Sequence, residues 1–377
     1  MKILIAPNSF KESLTSIEVA RCIARGLKKA SRRFKIMELP LADGGTGTAQ
    51  IITKAFDGEF IQKKVSGPLD DKVTASYGVI KEQGVAVIEL AEAAGLRLVP
   101  NQKRTPLNTT TAGVGELVRD AIERGYYKII LGIGDSATID CGVGALSILG
   151  VKFLDAQDQE ISHNCRGLLD LKKIETSAIT RQVRRTKITV ASDVKNILTG
   201  RYGALVYAKQ KGAKRKDMPL ILKALRNFKR VIAKQFDINL DKIPGSGAAG
   251  GIGGAFAALL NAQILSGFGL VQEIVRLEDE IKTSDLIITG EGRVDQETFY
   301  GKTLKNVIDM AYIYRKPVIL IAGRIASDVK ILKRYHVLEQ YSLIKTSRSV
   351  KKAISDAPKL LENIAYRIGR DLLLSSQ

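Results

Sequence analysis

Long apolar runs are missing from this 377-residue chain. No window reaches the roughly 18 or more uncharged apolar residues that a membrane-spanning helix requires. The apolar run that precedes Asn8 is also too short for the hydrophobic core of a secretory signal. We therefore expect no membrane partner, a cytoplasmic location, and a first β-strand over residues 2–7.

Cysteine and histidine are scarce. The chain has three cysteines and two histidines, and they share no CxxC or HxxxH spacing. Structural zinc sites and disulfide frameworks depend on such clusters. The sequence therefore predicts neither kind of site, and the cysteines are expected to be buried or incidental thiols.

Acidic residues are outnumbered, with 39 against 59 basic residues and a net charge of +20. Such an excess favours anionic partners, because phosphate neutralisation dominates binding to nucleic acid. The densest basic stretch, residues 209–234, also carries Ile221, Leu225 and Phe228 at helical spacing, which predicts a solvated helix face. No nucleic-acid module is visible. We expect no nucleic-acid partner, and a nucleic-acid role stays as an alternative.

The stretch 285–302 is the one around which the rest of the chain is organised. Residues 286–288 are a β-branched apolar run typical of a buried strand, and the loop after it carries Glu291, Arg293, Asp295 and Lys302. Ligands of α/β sheets bind beyond the carboxyl ends of the strands. Two cations with two carboxylates suit a phosphorylated ligand and a metal ion. The alternative is a plain strand-to-helix connection with solvated charges.

Two strand-loop-helix units open the chain. Lys11 lies in the loop after the first strand, and Thr15 with Glu18 fits a capping box at the start of a helix. A second strand over residues 34–40 leads to Asp43 and a loop of small residues. Asp43 can be a helix N-cap, and this role is compatible with a second role as a site carboxylate.

The hydrophobic period changes after Glu59. Three extended runs, separated by glycine-containing turns, occupy residues 60–90 and are typical of antiparallel strands. The length of the chain predicts two domains. We therefore expect residues 1–58 and 283–377 to form one discontinuous domain around a mainly parallel sheet, with residues 59–282 inserted as a mixed α/β domain.

Two strands of the inserted segment deliver polar loops. The strand over residues 127–131 runs into a glycine-rich turn, and Ser136 and Thr138 are expected at the start of the next helix, where unpaired N–H groups form an anion cradle. The strand over residues 187–191 delivers Asp193 to its end, followed by Asn196.

Residues 244–251 contain a G-x-G-x-x-G pattern before a helix rich in alanine and leucine. No clear strand precedes it and no acid lies about 20 residues further on, so it is a weak dinucleotide signal. It remains credible as a phosphate-facing loop through Gly247 and Gly250. A P-loop is excluded, because Gly292 lies too far upstream of the Gly301-Lys302-Thr303 ending.

Taken together, these loops resemble the bacterial glycerate kinase family, the ATP-dependent enzymes sometimes called type 1. The motifs run almost end to end, and they include APNSFKESLTS, LADGGTGT, NTTTAGVGELVRDAI, ILGIGDSATIDCGVGALSILG, VASDVKNILTGRYGA, IPGSGAAGGIGG and DLIITGEGRVDQETFYGKT. The resemblance implies two α/β domains, one flavodoxin-like and one compared with the restriction-endonuclease fold. It also implies phosphorylation of D-glycerate by MgATP, and leaves open whether 2-phosphoglycerate or 3-phosphoglycerate forms.

Several positions depart from the family pattern. Asn8 stands where an Asp is usual, Thr46 replaces a Glu, and the remaining departures include Asp135, Ile139, Cys141 and Lys195. Losing carboxylates near a magnesium site predicts weaker metal binding, a raised magnesium requirement and lower turnover. The alternative function is a catalytically weakened homologue with a binding or regulatory role.

The expected roles combine the resemblance with residue chemistry. Asp193 is expected to be the base that accepts the alcohol proton, with Lys11 and Arg293 as the other catalytic residues. The expected partners are D-glycerate and ATP, in a monomer or homodimer. Lys11, Asp193 and Arg293 are expected to line one cleft between the domains. The residues expected to bind substrate or phosphate are Ser9, Lys11, Ser136, Thr138, Asn196, Gly247, Gly250, Arg293 and Lys302, and those expected to hold Mg²⁺ are Asp43, Glu291 and Asp295.

Overall fold

The structure is a computed structural model that describes residues 1–10, 13–295, 298, 303–326 and 335–374. Its strands are β1 (Lys2–Ile5), β2 (Lys35–Glu38), β3 (Glu59–Ser66), β4 (Lys72–Ile80), β5 (Val85–Glu89), β6 (Lys128–Gly132), β7 (Lys152–Leu154), β8 (Lys173–Glu175), β9 (Lys187–Ala191), β10 (Gln263–Leu265), β11 (Leu286–Thr289), β12 (Arg293–Val294), β13 (Val318–Ala322), β14 (Arg324–Ile325) and β15 (Val337–Ser342). Its α-helices are α1 (Ser16–Ala30), α2 (Thr48–Ala55), α3 (Ala91–Ala94), α4 (Ala112–Glu123), α5 (Val143–Ile148), α6 (Arg181–Arg185), α7 (Met218–Phe236), α8 (Ile252–Leu260), α9 (Gly267–Ile274), α10 (Leu277–Thr283), α11 (Thr303–Ile313), α12 (Leu343–Ser347), α13 (Val350–Ser355) and α14 (Ala357–Leu374). Across the described ranges, no helix is both long and apolar enough to cross a membrane.

Contacts divide the chain into two compact units. Unit 1 consists of Met1–Asp43 and Phe268–Gln377, and unit 2 consists of Gly44–Gly267. The boundaries expected from the sequence, at 58/59 and 282/283, both move towards the N terminus. Helix α2 packs its buried isoleucines against β4 and β5 of unit 2, whereas α10 packs against β1 and α11 of unit 1. Burial of these helix faces therefore sets the boundaries.

The main sheet of unit 1 has five parallel strands in the order β15-β13-β11-β1-β2. Strands β11 and β13 are buried along their whole length, which is the continuous apolar pattern of parallel strands covered on both faces. Ile3 pairs with Leu286, and Ile5 pairs with Ile288. The prediction that residues 2–7 and 286–289 belong to one sheet is confirmed.

Helix α1 packs along α14 on this sheet. The predicted capping box begins α1: the Thr15 hydroxyl accepts the N–H of Glu18, and the Glu18 carboxylate accepts the N–H of Thr15. Gly26 lies where the two helices meet. A Cβ atom added to it would lie 2.2 Å from the carbonyl oxygen of Glu362. The absence of a side chain at Gly26 therefore allows the two backbones to approach this closely.

We expect Gly26→Ala to destabilise unit 1. Helix propensity favours alanine over glycine by about 1 kcal/mol, but overpacking typically costs about 1–3 kcal/mol. Here the clash is with backbone, which cannot move aside as a flexible side chain can, so the loss should exceed the gain. Urea unfolding measures the net change. Exposed Arg21 on the same helix gives the control, because Arg21→Ala should change stability by less than about 0.5 kcal/mol.

The main sheet of unit 2 has six strands in the order β10-β9-β6-β5-β4-β3. Strand β4 is antiparallel to both of its neighbours, β3 and β5, as the change of period predicts. Strands β5, β6, β9 and β10 run parallel. Their carboxyl ends therefore share one edge of the sheet, and the loops that leave this edge build the polar cluster described next.

Candidate functional site

Three loops meet at the carboxyl edge of the unit 2 sheet. The N–H of Gly134 donates to the carbonyl oxygen of Gly44 at 3.0 Å, and the N–H of Ile133 donates to Ala191 at 3.4 Å. A Cβ atom on Gly44 would lie 2.4 Å from the carbonyl oxygen of Ala191, and the residue has φ of 92°. Only glycine fits both the contact and the backbone angle. The loops after Asp43, after β6 and after β9 are thus packed backbone to backbone.

Asp193 lies two residues beyond the end of β9 and is half-buried. Ser266 follows the parallel strand β10, and its hydroxyl donates to Asp193 Oδ1 at 2.6 Å. The N–H of Ser192 donates to the carbonyl oxygen of Leu265 at 2.9 Å and continues the pairing of the two strands. The carboxylate is therefore held by a hydroxyl at the end of the neighbouring strand while remaining partly accessible.

The loop after Asp43 is anchored by two carboxylates. The Thr46 hydroxyl and N–H both donate to Asp135 Oδ2, at 2.9 and 3.2 Å. Glu89, the last residue of β5, accepts the N–H groups of Gly47 and Ala49 at 2.9 and 2.7 Å, at the start of α2. Burial raises the pKa of Glu89 to about 7, against the lowering effect of these two N–H groups. Sequence reasoning missed Glu89, because it ends an ordinary apolar strand.

The contact between Thr46 and Asp135 changes the meaning of two departures. A carboxylate is absent at position 46, but one stands beside it at position 135, on the opposing loop. We expected the replacement of the usual Glu by Thr46 to remove a negative charge from this loop. That expectation is corrected, because the carboxylate of Asp135 lies beside Thr46.

Moving the carboxylate from position 135 to position 46 tests whether the two positions compensate for each other. Thr46→Glu alone should lower the free energy of unfolding by about 1 kcal/mol or more, because it sets a second carboxylate against Asp135. Thr46→Glu combined with Asp135→Gly should restore parental stability, since Asp135 has φ of 56°, which glycine adopts freely. Denaturant titration of the four variants gives the coupling energy. Strictly additive effects would contradict the proposed exchange.

The loop after β6 differs from its prediction. Helix α5 begins at Val143, not near Ser136, and Asp140 accepts the N–H groups of Gly142 and Gly144 at its start. The expected anion cradle at a helix start is therefore wrong here, because a carboxylate of the chain already occupies that position. Burial raises the pKa of Asp140, although its hydrogen bonds act in the opposite direction.

Ser136 and Thr138 are buried and engaged by a lysine. Lys211 Nζ donates to Ser136 Oγ at 2.7 Å and to the Thr138 carbonyl oxygen at 2.7 Å. The Thr138 hydroxyl is itself buried, with no partner among the described residues. Lys211 was expected on the wet face of a helix, but α7 begins only at Met218 and Lys211 is 3% exposed. The basic run around it concealed this one buried member.

Asn196, Gly247 and Gly250 join loops to one another. The Asn196 side chain donates to the Tyr202 carbonyl oxygen at 2.6 Å and accepts the Tyr207 hydroxyl at 3.1 Å. The backbone carbonyl oxygen of Asn196 accepts the N–H of Gly247 at 2.9 Å. A Cβ atom on Gly250 would lie 2.2 Å from the Thr138 carbonyl oxygen. Close backbone packing is thus the visible reason for this glycine.

In unit 1, polar residues gather where the strand order reverses. The N–H of Asn8 donates to the Gly290 carbonyl oxygen at 2.8 Å, and the Thr289 hydroxyl donates to Ala6 at 2.7 Å. Asn8 and half-buried Ser9 thus follow β1 where Glu291 follows the adjacent β11. Open α/β sheets bind ligands at this kind of switch point.

The loop after β11 holds two carboxylates around one hydroxyl. The Thr298 hydroxyl donates to Glu291 Oε1 at 2.6 Å and accepts the N–H of Asp295 at 3.2 Å. Arg293 Nε lies 2.9 Å from Asp295 Oδ2. Within the described residues no group of three or more metal-ligating side chains is present. Mg²⁺ is commonly held by one or two carboxylates with waters and phosphates, so Glu291 and Asp295 fit that ion.

A second arginine stands beside Arg293. Strands β12 and β14 are parallel, and Arg293 is in register with Arg324. Both side chains are exposed. Sequence reasoning missed Arg324, although its signal was present: each arginine follows a glycine in the loop beyond a buried strand, as Gly292-Arg293 and Gly323-Arg324.

The other predicted site residues fall at the margins of what the structure describes. Asp43 is the half-buried last residue of the first segment of unit 1. Lys11 and Lys302 lie outside the described residues. Asp193 belongs to unit 2 and Arg293 to unit 1. The expectation that Lys11, Asp193 and Arg293 line one cleft stays a prediction.

Comparison with known proteins decides the family. The sequence model of the glycerate kinase family matches residues 3–373. The chain belongs to the glycerate kinase family. A relative named glycerate kinase, from Halalkalibacterium halodurans, is 40% identical over 367 residues, which are 97% of each chain. A relative named glycerate 2-kinase, from Escherichia coli strain K12, is 39% identical over 358 residues, or 95% of this chain and 94% of its own.

The fold gives the same result. The crystal structure of a candidate glycerate kinase 2 from Salmonella typhimurium LT2 has a TM-score of 0.83 and 38% identity, and the match covers 100% of this chain and 99% of that one. This family member thus shares the mixed α/β architecture, with one parallel and one mixed sheet. The predictions of the family and of kinase activity are confirmed.

Proposed function

We propose that the protein transfers a phosphoryl group from ATP to a hydroxyl of D-glycerate. The observation that carries the proposal is the group of charged residues at the switch point of unit 1, where Glu291, Arg293 and Asp295 follow β11. Phosphoryl transfer depends mainly on positioning and charge neutralisation, and this group offers a cation and two carboxylates on a rigid strand end. The names of the relatives supply the substrate class.

Asp193 is the base in this proposal. Phosphorylating an alcohol requires a carboxylate that can accept the hydroxyl proton. The Ser266 hydroxyl donates to Oδ1 of Asp193 at 2.6 Å and so orients the carboxylate. Asp193 would receive the proton on a carboxylate oxygen as the substrate oxygen attacks the phosphorus.

Arg293 and Arg324 would bind the phosphates. Two guanidinium groups in register on adjacent strands offer several parallel N–H donors to phosphate oxygens. Glu291 and Asp295 would hold Mg²⁺ or its waters, and the bound ion would neutralise charge on the phosphates. Lys11, Lys302 and Asp43 remain candidates for the same tasks.

We also propose the finer fold names. Counted along unit 1, its five parallel strands have the order 2-1-3-4-5, which is the flavodoxin-like order. This supports a flavodoxin-like unit 1. The restriction-endonuclease comparison for unit 2 rests on the resemblance of the sequence motifs.

A coupled assay tests the function. The purified protein should turn over D-glycerate with MgATP, and product analysis should separate 2-phosphoglycerate from 3-phosphoglycerate. The name of the Escherichia coli relative favours 2-phosphoglycerate. Binding of both substrates without turnover would instead support the weakened homologue with a binding or regulatory role.

Magnesium titration tests the proposed metal residues. Glu291→Gln and Asp295→Asn should each raise the Mg²⁺ concentration for half-maximal rate by about 10- to 100-fold, because each removes one anionic oxygen ligand or its support. Both substitutions keep the size of the side chain. Glu278→Gln provides the matched control, since that carboxylate pairs with Lys282 on a helix away from the strand end. Unchanged magnesium curves in both site variants would reject this assignment.

A further inference from the structure

Lys211 is buried without an acidic partner in contact. It is 3% exposed, and its two hydrogen-bond acceptors, Ser136 Oγ and the Thr138 carbonyl oxygen, are both neutral. Asp140 is near enough to favour the charged form, but burial outweighs it and lowers the pKa of Lys211 to about 7. Lysine is almost never fully buried unless it is paired. The fold therefore carries an unfavourable buried amine that local packing does not explain.

The two acceptors belong to a loop that reaches the proposed site. Residues 132–138 leave the carboxyl end of β6, and the N–H of Gly134 bonds to Gly44 while Asp135 binds Thr46. Lys211 holds the far end of the same loop. The N–H of Ala137, between the two acceptors, donates to the Ala94 carbonyl oxygen at 2.9 Å.

The segment that carries Lys211 is itself fixed. Gly212 has φ of 95°, and a Cβ atom there would lie 2.4 Å from the carbonyl oxygen of Arg104. The N–H of Lys211 donates to Ala208, and the N–H of Ala213 donates to the same carbonyl oxygen. A rigid turn thus presents one amine to one loop, which is how a supporting residue preorganises groups that contact a ligand.

We propose that Lys211 is a positioning residue. Its amine fixes the loop 132–138, and that loop in turn sets the positions of Thr46 and Asp193 at the carboxyl edge of the unit 2 sheet. The proposal rests on the function proposed above. Lys211 acts through Ser136 and Thr138 and does not contact the substrates. Lys211 contributes to the rate of turnover and not to stability, because the fold would be at least as stable with an apolar side chain at this position.

Lys211→Met tests the proposal, because methionine keeps most of the stem and removes the amine. Exposed Lys209, two residues away, supplies the matched control Lys209→Met. Hydrogen exchange should be faster at the amides of Gly134 and Ala137 in Lys211→Met, with strand β5 unchanged. The midpoint of thermal unfolding should stay equal or rise, and kcat should fall by about 10- to 100-fold. Lys209→Met should behave as the parent in all three measurements.

Unchanged exchange in the loop would overturn the proposal, whatever the enzyme does. A fall in kcat accompanied by an equal loss of stability across unit 2 would also overturn it, since Lys211 would then be an ordinary structural anchor. The exchange measurement needs no turnover, so a protein inactive on D-glycerate rejects the proposed function alone. Should Lys211→Met fail to fold, Ser136→Ala removes one acceptor and must still accelerate exchange at Ala137.

Discussion

Asp193→Asn is expected to lower kcat by about 10²- to 10⁴-fold, which is the usual contribution of a general base. Asparagine can still accept the Ser266 hydroxyl, so the local hydrogen bond and the fold should persist. The Michaelis constants should change little, because the substitution removes a proton acceptor and no binding charge is assigned to it. Steady-state kinetics with D-glycerate and MgATP measure both effects.

Two controls make the result specific. Asp170→Asn changes an exposed carboxylate elsewhere in unit 2 and should leave kcat unchanged. Ser266→Ala removes the hydroxyl that orients Asp193 and should have a smaller effect, about 10-fold. If Asp193→Asn retains more than about a tenth of parental kcat, Asp193 is not the base.

The second large effect concerns stability as a function of pH. The pKa of Lys211 is about 7 in the folded protein and its ordinary value is 10.5. Between these values the unfolded chain holds the proton and the folded chain does not, so this residue makes stability rise with pH in that window. Below pH 7 its full unfavourable contribution is present, on the order of 3–5 kcal/mol.

Lys211→Met isolates this contribution. We expect the variant to have a higher free energy of unfolding than the parent at pH 6 to 7. The gain is reduced by the loss of two hydrogen bonds, at about 1 kcal/mol each. The advantage should shrink as pH rises towards 10.5. Buried Cys141 and Cys165, whose pKa values burial raises, make stability fall at high pH, but they are common to both proteins. Denaturant unfolding at several pH values measures the difference, and parallel curves would contradict the shift.

The elements were largely predictable because local signals specified them. Alternation and turn residues predicted the antiparallel β3, β4 and β5, and the capping box predicted the start of α1. The position of Asp193 just beyond β9 was predicted from the short β-branched run before it, while its role stays a prediction. These signals act over a few residues, and the chain obeys them wherever one sheet face or one helix stripe is buried.

The misses have a common physical cause in long-range packing. Lys211 reads as one of many exposed lysines, and only its contact with a loop 75 residues away shows that it is buried. Ser136 reads as a helix start, but the helix begins at Val143, where Asp140 accepts the N–H groups of Gly142 and Gly144. The expected boundary at residue 58 failed because α2 covers the sheet of the following unit. A local pattern does not show which sheet a helix will cover.

The pairing of β1 with β11 also sets an order of events during synthesis. Unit 2 is one continuous segment, so all of it is available once Gly267 has left the ribosome. The first 43 residues must wait, because β1 pairs with β11 and α1 packs against α14, both of which follow unit 2 in the chain. At a translation rate of about 20 residues per second, that wait is on the order of ten seconds or more. Throughout it the apolar strand β1 lacks β11, one of its two neighbours in the sheet, so the nascent chain should engage chaperones through its N-terminal segment.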